Sequence, residues 1–212
     1  MSNLINKLEW RYATKKFDPS KVVPREKLDR ILEAVRLSAS SSGLQPYEVL
    51  VVTNPAIRAQ IKPIANHQSQ ITDSSYLLVF AAWDDVTAGR INMMFDLINK
   101  ERGLAADASQ DYRQYLLTTY AAAGAEANFQ HAAGQAYIGL GSGLIAAAFE
   151  EVDSTPMGGF DPAALDRILG LREKNLRSVA LLAVGYRETG ADWLEPLKKV
   201  RRSREDFITE VN

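Results

Sequence analysis

Two clusters of positive charge lie near opposite ends of the chain. Lys7, Arg11, Lys15 and Lys16 fall within ten residues, and Lys198, Lys199, Arg201, Arg202 and Arg204 within seven. Arginine offers a planar fork of N–H donors that matches phosphate, and lysine adds a compact charge. Each cluster therefore suits an anion clamp. A solvated basic turn, or for the tail a nucleic-acid contact, is the plainer alternative. Three polar stretches between them carry further ligand-binding groups. Ser38, Ser40, Ser41 and Ser42 put four hydroxyls ahead of Gly43, which suits a polyol or phosphate as well as an ordinary loop. Asn66-His67-Gln68-Ser69-Gln70 is a polar run between apolar segments. Ser154-Thr155-Pro156-Met157-Gly158-Gly159-Phe160 reads as a glycine-rich turn, where backbone can approach a ligand closely.

Composition removes other chemistries. The chain has no cysteine, so thiol catalysis and disulfides are excluded. Its two histidines, His67 and His131, give little support to a His-rich metal site. A net charge of −1 argues against bulk nucleic-acid binding, and no aromatic cluster accompanies the basic tail. At 212 residues, 46% hydrophobic and 24% charged, the chain reads as one soluble globular domain, 1–212, without repeats or linkers. Met1 to Trp10 lacks an apolar signal core. The expected compartment is the cytoplasm.

The elements that must position these groups follow from periodicity. Asn3 to Trp10 predicts a short amphipathic helix, and Pro24 with Leu28, Ile31, Leu32 and Val35 a second one to about Ser38. Tyr47–Thr53, Tyr76–Trp83 and Arg177–Gly185 predict strands. Helices are expected from Ala56 to Ile64, Thr87 to Arg102 and Asp111 to about Phe129. Asp161-Pro162 predicts a capped helix to Leu169.

The stretch from Ala127 to Phe149 holds 23 residues without a charge. Ala132, Ala136, Gly139, Gly143 and Ala147 recur in it at helical spacing. Glycine weakens a helix by roughly 1 kcal/mol each, so its four glycines predict close approach of another helix backbone. The length fits a membrane span, but Asn128, Gln130, His131, Gln135 and Ser142 lie within it. A buried core helix and no membrane partner are expected. Gly139-Leu140-Gly141-Ser142-Gly143 lacks the preceding strand a nucleotide loop needs.

Taken in order, five stretches resemble the nitroreductase family of FMN-dependent NAD(P)H oxidoreductases. Arg11-Tyr12-Ala13-Thr14-Lys15 resembles its N-terminal Arg-x-Ser-x-Arg/Lys phosphate motif. Ser40-Ser41-Ser42-Gly43-Leu44-Gln45-Pro46-Tyr47 resembles its Ser-Ser-x-Asn-x-Gln-Pro-Trp loop. His67-Gln68-Ser69-Gln70 stands where the family has Asn-x-x-Gln/Lys. Thr155 to Asp161 resembles the Pro-x-x-Gly-Phe/Tyr turn, and Lys199-Val200-Arg201 the C-terminal Lys-x-Arg.

The resemblance implies an α+β nitroreductase-like fold: a mostly antiparallel sheet flanked by helices, in an intertwined homodimer with C-terminal tail exchange. FMN would lie at the dimer interface, with NADH or NADPH as donor and a quinone, nitroaromatic or similar small molecule as acceptor. Arg11 and Lys15 with Lys199 and Arg201 would hold the phosphate and nearby oxygens, Tyr12 and Ala13 lying along the same segment. Ser40, Ser41 and Gly43 would reach the flavin, some from the other subunit. His67 and Gln70 would face the pyrimidine edge, and Pro156, Met157, Gly158 and Gly159 would run past the ring. No catalytic acid or base is implied, since flavin N5 carries the chemistry. Gly43, Tyr47, His67 and Ala13 depart from the family's Asn, Trp, Asn and Ser, which leaves individual contacts and substrate preference open. A non-enzymatic flavin-binding protein on the same fold is the other reading.

Overall fold

Both faces of the central sheet are covered by helices. The computed structural model describes residues 3–211; Met1, Ser2 and Asn212, and the part of the signal-peptide reading that falls on them, lie outside. In chain order the elements are α1 (Asn3–Trp10), α2 (Arg25–Arg36), β1 (Tyr47–Val52), α3 (Pro55–Ile64), α4 (Gln70–Asp73), β2 (Tyr76–Trp83), α5 (Ala88–Arg102), α6 (Gln110–Ala123), α7 (Ala125–Phe149), β3 (Asp153–Met157), α8 (Pro162–Leu169), β4 (Leu176–Gly185) and α9 (Arg204–Phe207). The strands pair antiparallel in the order β1-β2-β4-β3. The fold is the expected α+β class.

The pleat sends alternate side chains to opposite faces. Leu78 and Phe80 of β2, with Ala180, Leu182 and Val184 of β4, pack under α2 and α7. Leu77 and Val79, with Leu181 and Ala183, pack against Ile61 of α3 and Leu165 of α8. Covering both faces makes β2 and β4 nearly continuous apolar runs. Each large side chain so buried contributes about 1.5–3 kcal/mol. The turns carry matching caps. Asn54 accepts from Ala56 N at 2.9 Å ahead of Pro55, and Asp161 accepts from Ala164 N at 3.0 Å ahead of Pro162.

Three expectations are corrected. The helix expected from Asp111 to Phe129 stops at Ala123, because Gly124 takes φ +81° and the next helix starts at Ala125. The stretch expected to be a turn from Ser154 begins instead with an edge strand, Asp153–Met157. Pro156 is tolerated there because it sits on the edge, where one side needs no N–H. The central helix is not buried all round. Ala132, Ala136, Gly139, Leu140, Gly143 and Ala147 face the core, whereas Tyr137, Ile138, Ile145 and Phe149 are exposed. Its inward glycines meet side chains rather than a helix backbone: a Cβ at Gly143 would approach Val35 at 3.1 Å and Leu182 at 3.4 Å. Gly134 and Gly141 open onto the uncovered face, with nothing within 4 Å.

Candidate functional site

The first turn of the chain is laid along the free edge of β3. After α1 the backbone is extended, Ala13 forms a parallel bridge with Ser154, and Phe17 an antiparallel bridge with Arg187. Phe17 is fully buried over Gly185, where a Cβ would lie 2.7 Å from its ring. The returning C-terminal segment completes a pocket of about 580 Å³. Trp10, Arg11, Tyr12, Ala13, Pro156, Arg187, Lys199 and Arg201 line it, with Glu9 and Glu195 at its walls. The two basic clusters of the sequence thus meet.

Four of the pocket's five cations, Arg11, Lys198, Lys199 and Arg201, form no salt bridge among the described residues. Arg11 Nε is buried without a hydrogen-bond partner. Burial lowers the Arg11 pKa, and the neighbouring Arg201 lowers it further. Burial also lowers the Lys199 pKa, followed by Arg11 and Arg201, while Glu9 acts the other way. The Lys199 ammonium donates to Leu8 O at 2.5 Å and to Arg11 O, closing the carboxyl end of α1. One of its three N–H groups remains for an anion. Crowded, desolvated positive charge with an unused donor is what a phosphate group would relieve.

Arg187 belongs to the pocket but its charge is already matched. It donates through Nε and Nη2 to Asp153 Oδ1 at 2.9 and 2.5 Å, and through its backbone N–H to Oδ2 at 2.8 Å. Its guanidinium sits 4.8 Å from the Trp10 ring and 4.6 Å from the Tyr12 ring. Lys15 does not line the pocket. Its backbone N–H donates to Asp192 Oδ2 at 2.7 Å.

The remaining predicted residues lie in two other groups. Ser40, Ser41 and Gly43 form a tight turn against α7, where Ser41 N donates to Gln135 Oε1 at 2.8 Å. Ser40 Oγ accepts from Gln45 N at 2.9 Å, and Gly43 takes φ +65°. None of these lines the cationic pocket of its own chain. His67 is exposed at φ +53°, and Gln70 is buried at the start of α4. Their neighbours hold the glycine turn: Asn66 Nδ2 and Gln68 Nε2 donate to Gly159 O at 3.1 and 3.3 Å. A Cβ at Gly159 would lie 2.9 Å from Asn66 Nδ2, whereas Gly158 is open. Met157 points into the core beneath β4, so only its backbone is available to a ligand. Pro156, next along the strand, faces the pocket.

The nitroreductase family model matches residues 8–186. The chain belongs to the nitroreductase family. It is 32% identical over 214 residues to the major NAD(P)H-flavin oxidoreductase of Aliivibrio fischeri, covering 97% of each chain. It is 29% identical over 209 residues to the oxygen-insensitive NAD(P)H nitroreductase of Salmonella typhimurium, covering 95% of this chain and 96% of the other. Among solved structures, a nitroreductase-like protein of Streptococcus mutans superposes with TM-score 0.84 at 19% identity, covering 98% of both chains. A candidate nitroreductase of Exiguobacterium sibiricum solved in complex with FMN gives TM-score 0.82 at 19% identity, covering 100% of this chain and 98% of the other. These structural likenesses establish the nitroreductase fold.

The nitroreductase match ends at residue 186. Arg187, Lys199 and Arg201 of the pocket wall, and Asp192 behind it, lie beyond it. Sequence reasoning missed Arg187, Asp153 and Asp192, as well as Asn66 and Gln68. Asn66 stood beside a predicted residue. Asp192 carries no periodic signal, because most of its partners are backbone N–H groups.

Proposed function

We propose that this nitroreductase-family chain is an FMN-dependent oxidoreductase, taking a hydride from NADH or NADPH and passing it to a small electron-poor acceptor. The observation that carries the reading is that Arg11, Lys199 and Arg201, which form no salt bridge among the described residues, gather in one pocket, where the Nε–H of Arg11 is buried without a partner. Arg11, Lys199 and Arg201 would hold the FMN phosphate. His67, Gln70 and the run Pro156, Met157, Gly158 and Gly159 would lie along the flavin, Met157 through its backbone. Bound FMN would supply the hydride-transferring centre. The side chains bind, orient and exclude water, and none is assigned as acid or base. Donor and acceptor would use one space in turn, giving ping-pong kinetics. The acceptor class is a quinone, a nitroaromatic or a similar conjugated electrophile, and the compartment is the cytoplasm.

A homodimer is part of the proposal. The exposed stripe Tyr137, Ile138, Ile145 and Phe149, with open glycines at 134 and 141, is the kind of face a second copy covers. A second copy would also bring Ser40, Ser41 and Gly43 to a flavin they do not reach within one chain, with exchange of the C-terminal tail. The test is the visible spectrum of purified protein. A yellow protein whose absorbance is bleached anaerobically by NADH or NADPH is expected. Colourless protein that takes up no added FMN overturns the reading, and flavin that neither nicotinamide reduces leaves a non-enzymatic flavin-binding protein.

A further inference from the structure

Asp192 ties the two halves of the cationic pocket together and, among the described residues, forms no salt bridge with any of its cations. It is 2% exposed. Its Oδ2 accepts from Lys15 N at 2.7 Å, Tyr12 Oη at 3.0 Å and Lys16 N at 3.3 Å. Its Oδ1 accepts from Leu194 N at 2.9 Å. The first three donors belong to the segment that follows Arg11, and the fourth to the segment that leads to Lys199 and Arg201. Asp192 does not line the pocket.

We propose that Asp192 is a positioning residue that sets the spacing of Arg11 against Lys199 and Arg201, and so the preference for a phosphorylated flavin over an unphosphorylated one. This rests on the flavin reading above. The chemistry requires a carboxylate. Three donors converge on one oxygen and a fourth meets the other, so every contact needs an acceptor. An asparagine turns one of those positions into an NH₂ facing an N–H. The seam nearby has independent ties: Glu188 N donates to Lys16 O at 3.0 Å, Asp18 N to Tyr186 O at 2.8 Å, and Arg187 pairs with Asp153. Loss of Asp192 therefore loosens the stretch 12–16 beside Arg11 while the strand edge stays pinned. A phosphate reports that looseness directly, because it is held by both arms. An isoalloxazine ring does not.

The experiment titrates FMN and riboflavin into wild-type apoprotein and Asp192→Asn, following quenching of flavin fluorescence. Asp192→Asn is expected to weaken FMN about tenfold, the scale of one charge-assisted hydrogen bond, and to leave riboflavin within about twofold. A merely structural role weakens both flavins alike, and that result overturns the proposal. So does an unchanged FMN-to-riboflavin ratio in a variant that binds both. Wild-type protein that binds no FMN overturns the flavin reading and this proposal together. Should Asp192→Asn fail to fold, Tyr12→Phe removes one donor from Oδ2. Its FMN-to-riboflavin ratio must fall in the same direction, and an unchanged ratio overturns the proposal.

Discussion

The Tyr47 phenol of β1 occupies the notch that Gly139 leaves in α7. A Cβ at position 139 would lie 2.7 Å from Tyr47 Cζ and closer still to its hydroxyl. That hydroxyl donates to Val35 O of α2 at 3.2 Å. One tyrosine thus joins a strand and two helices through the absence of a methyl group. Gly139→Ala gains up to about 1 kcal/mol of helix propensity but displaces the ring, at a cost of about 1–3 kcal/mol. The expected outcome is a net loss of up to about 2 kcal/mol, read as a lower urea midpoint with unchanged slope. An unchanged or higher midpoint contradicts the notch.

Gly134 and Gly141 present the opposite case, since a side chain there meets nothing in its own chain. Gly141→Leu is expected to keep the folded chain but raise the dissociation constant of the proposed dimer at least about tenfold, through overpacking of the face a second copy would cover. Sedimentation on dilution measures it. A variant that stays dimeric to the same concentration as wild type removes this stripe from the interface.

Uncompensated charge has a signature without flavin. Inorganic phosphate at several times its dissociation constant is expected to raise the apoprotein Tm by a few degrees, since roughly 1 kcal/mol moves a domain of this size by about 2–4 °C. Arg11→Ala and Arg201→Ala should each lose that increment and weaken FMN about 10- to 100-fold. The double variant should fall short of the sum, because both act on one group. Arg204→Ala, outside the pocket, should behave as wild type. Equal phosphate responses in wild type and all four variants would dismiss the clamp.

Acid should loosen the seam between the chain's two ends. Burial pushes the Asp192 carboxyl up, but the N–H groups of Lys15 and Leu194, the Tyr12 hydroxyl and Lys16 N–H outweigh it and hold it below its ordinary value of 3.8. A depressed carboxyl stabilises the fold above its ordinary pKa, and that contribution is lost as pH falls through the folded value. Unfolding free energy should therefore decline more steeply below about pH 4 in wild type than in Asp192→Asn. Parallel acid limbs would remove Asp192 from that response.

Arg11, Ala13, Pro156, Lys199 and Arg201 could be placed in one site from sequence because each falls within an ordered motif. The strands β2 and β4 were clear because burial on both faces leaves nearly continuous apolar runs. β3 was missed because five residues containing a proline carry too little pattern, and its edge position is a tertiary property. Gly124 was read through because alanines flank it on both sides. The uncharged α7 declared itself apolar, but periodicity cannot say which face its own chain covers. The Arg187–Asp153 pair and the Asp192 staple depend on contacts across 34 to 180 residues, for which local pattern holds no record.

Because the pocket's walls run from Glu9 to Arg201, ribosomal synthesis delivers its two sides at different times. A nascent chain holds Arg11 through nearly the whole of elongation before Lys199 and Arg201 emerge. Contacts so distant in sequence close late, since loop closure must precede any reward from them. If these residues hold the cofactor as proposed, its capture waits until the sheet and its helices have been synthesised. A polypeptide cut short upstream of Lys199 would carry half a clamp, and flavin retention would sort finished molecules from truncated ones.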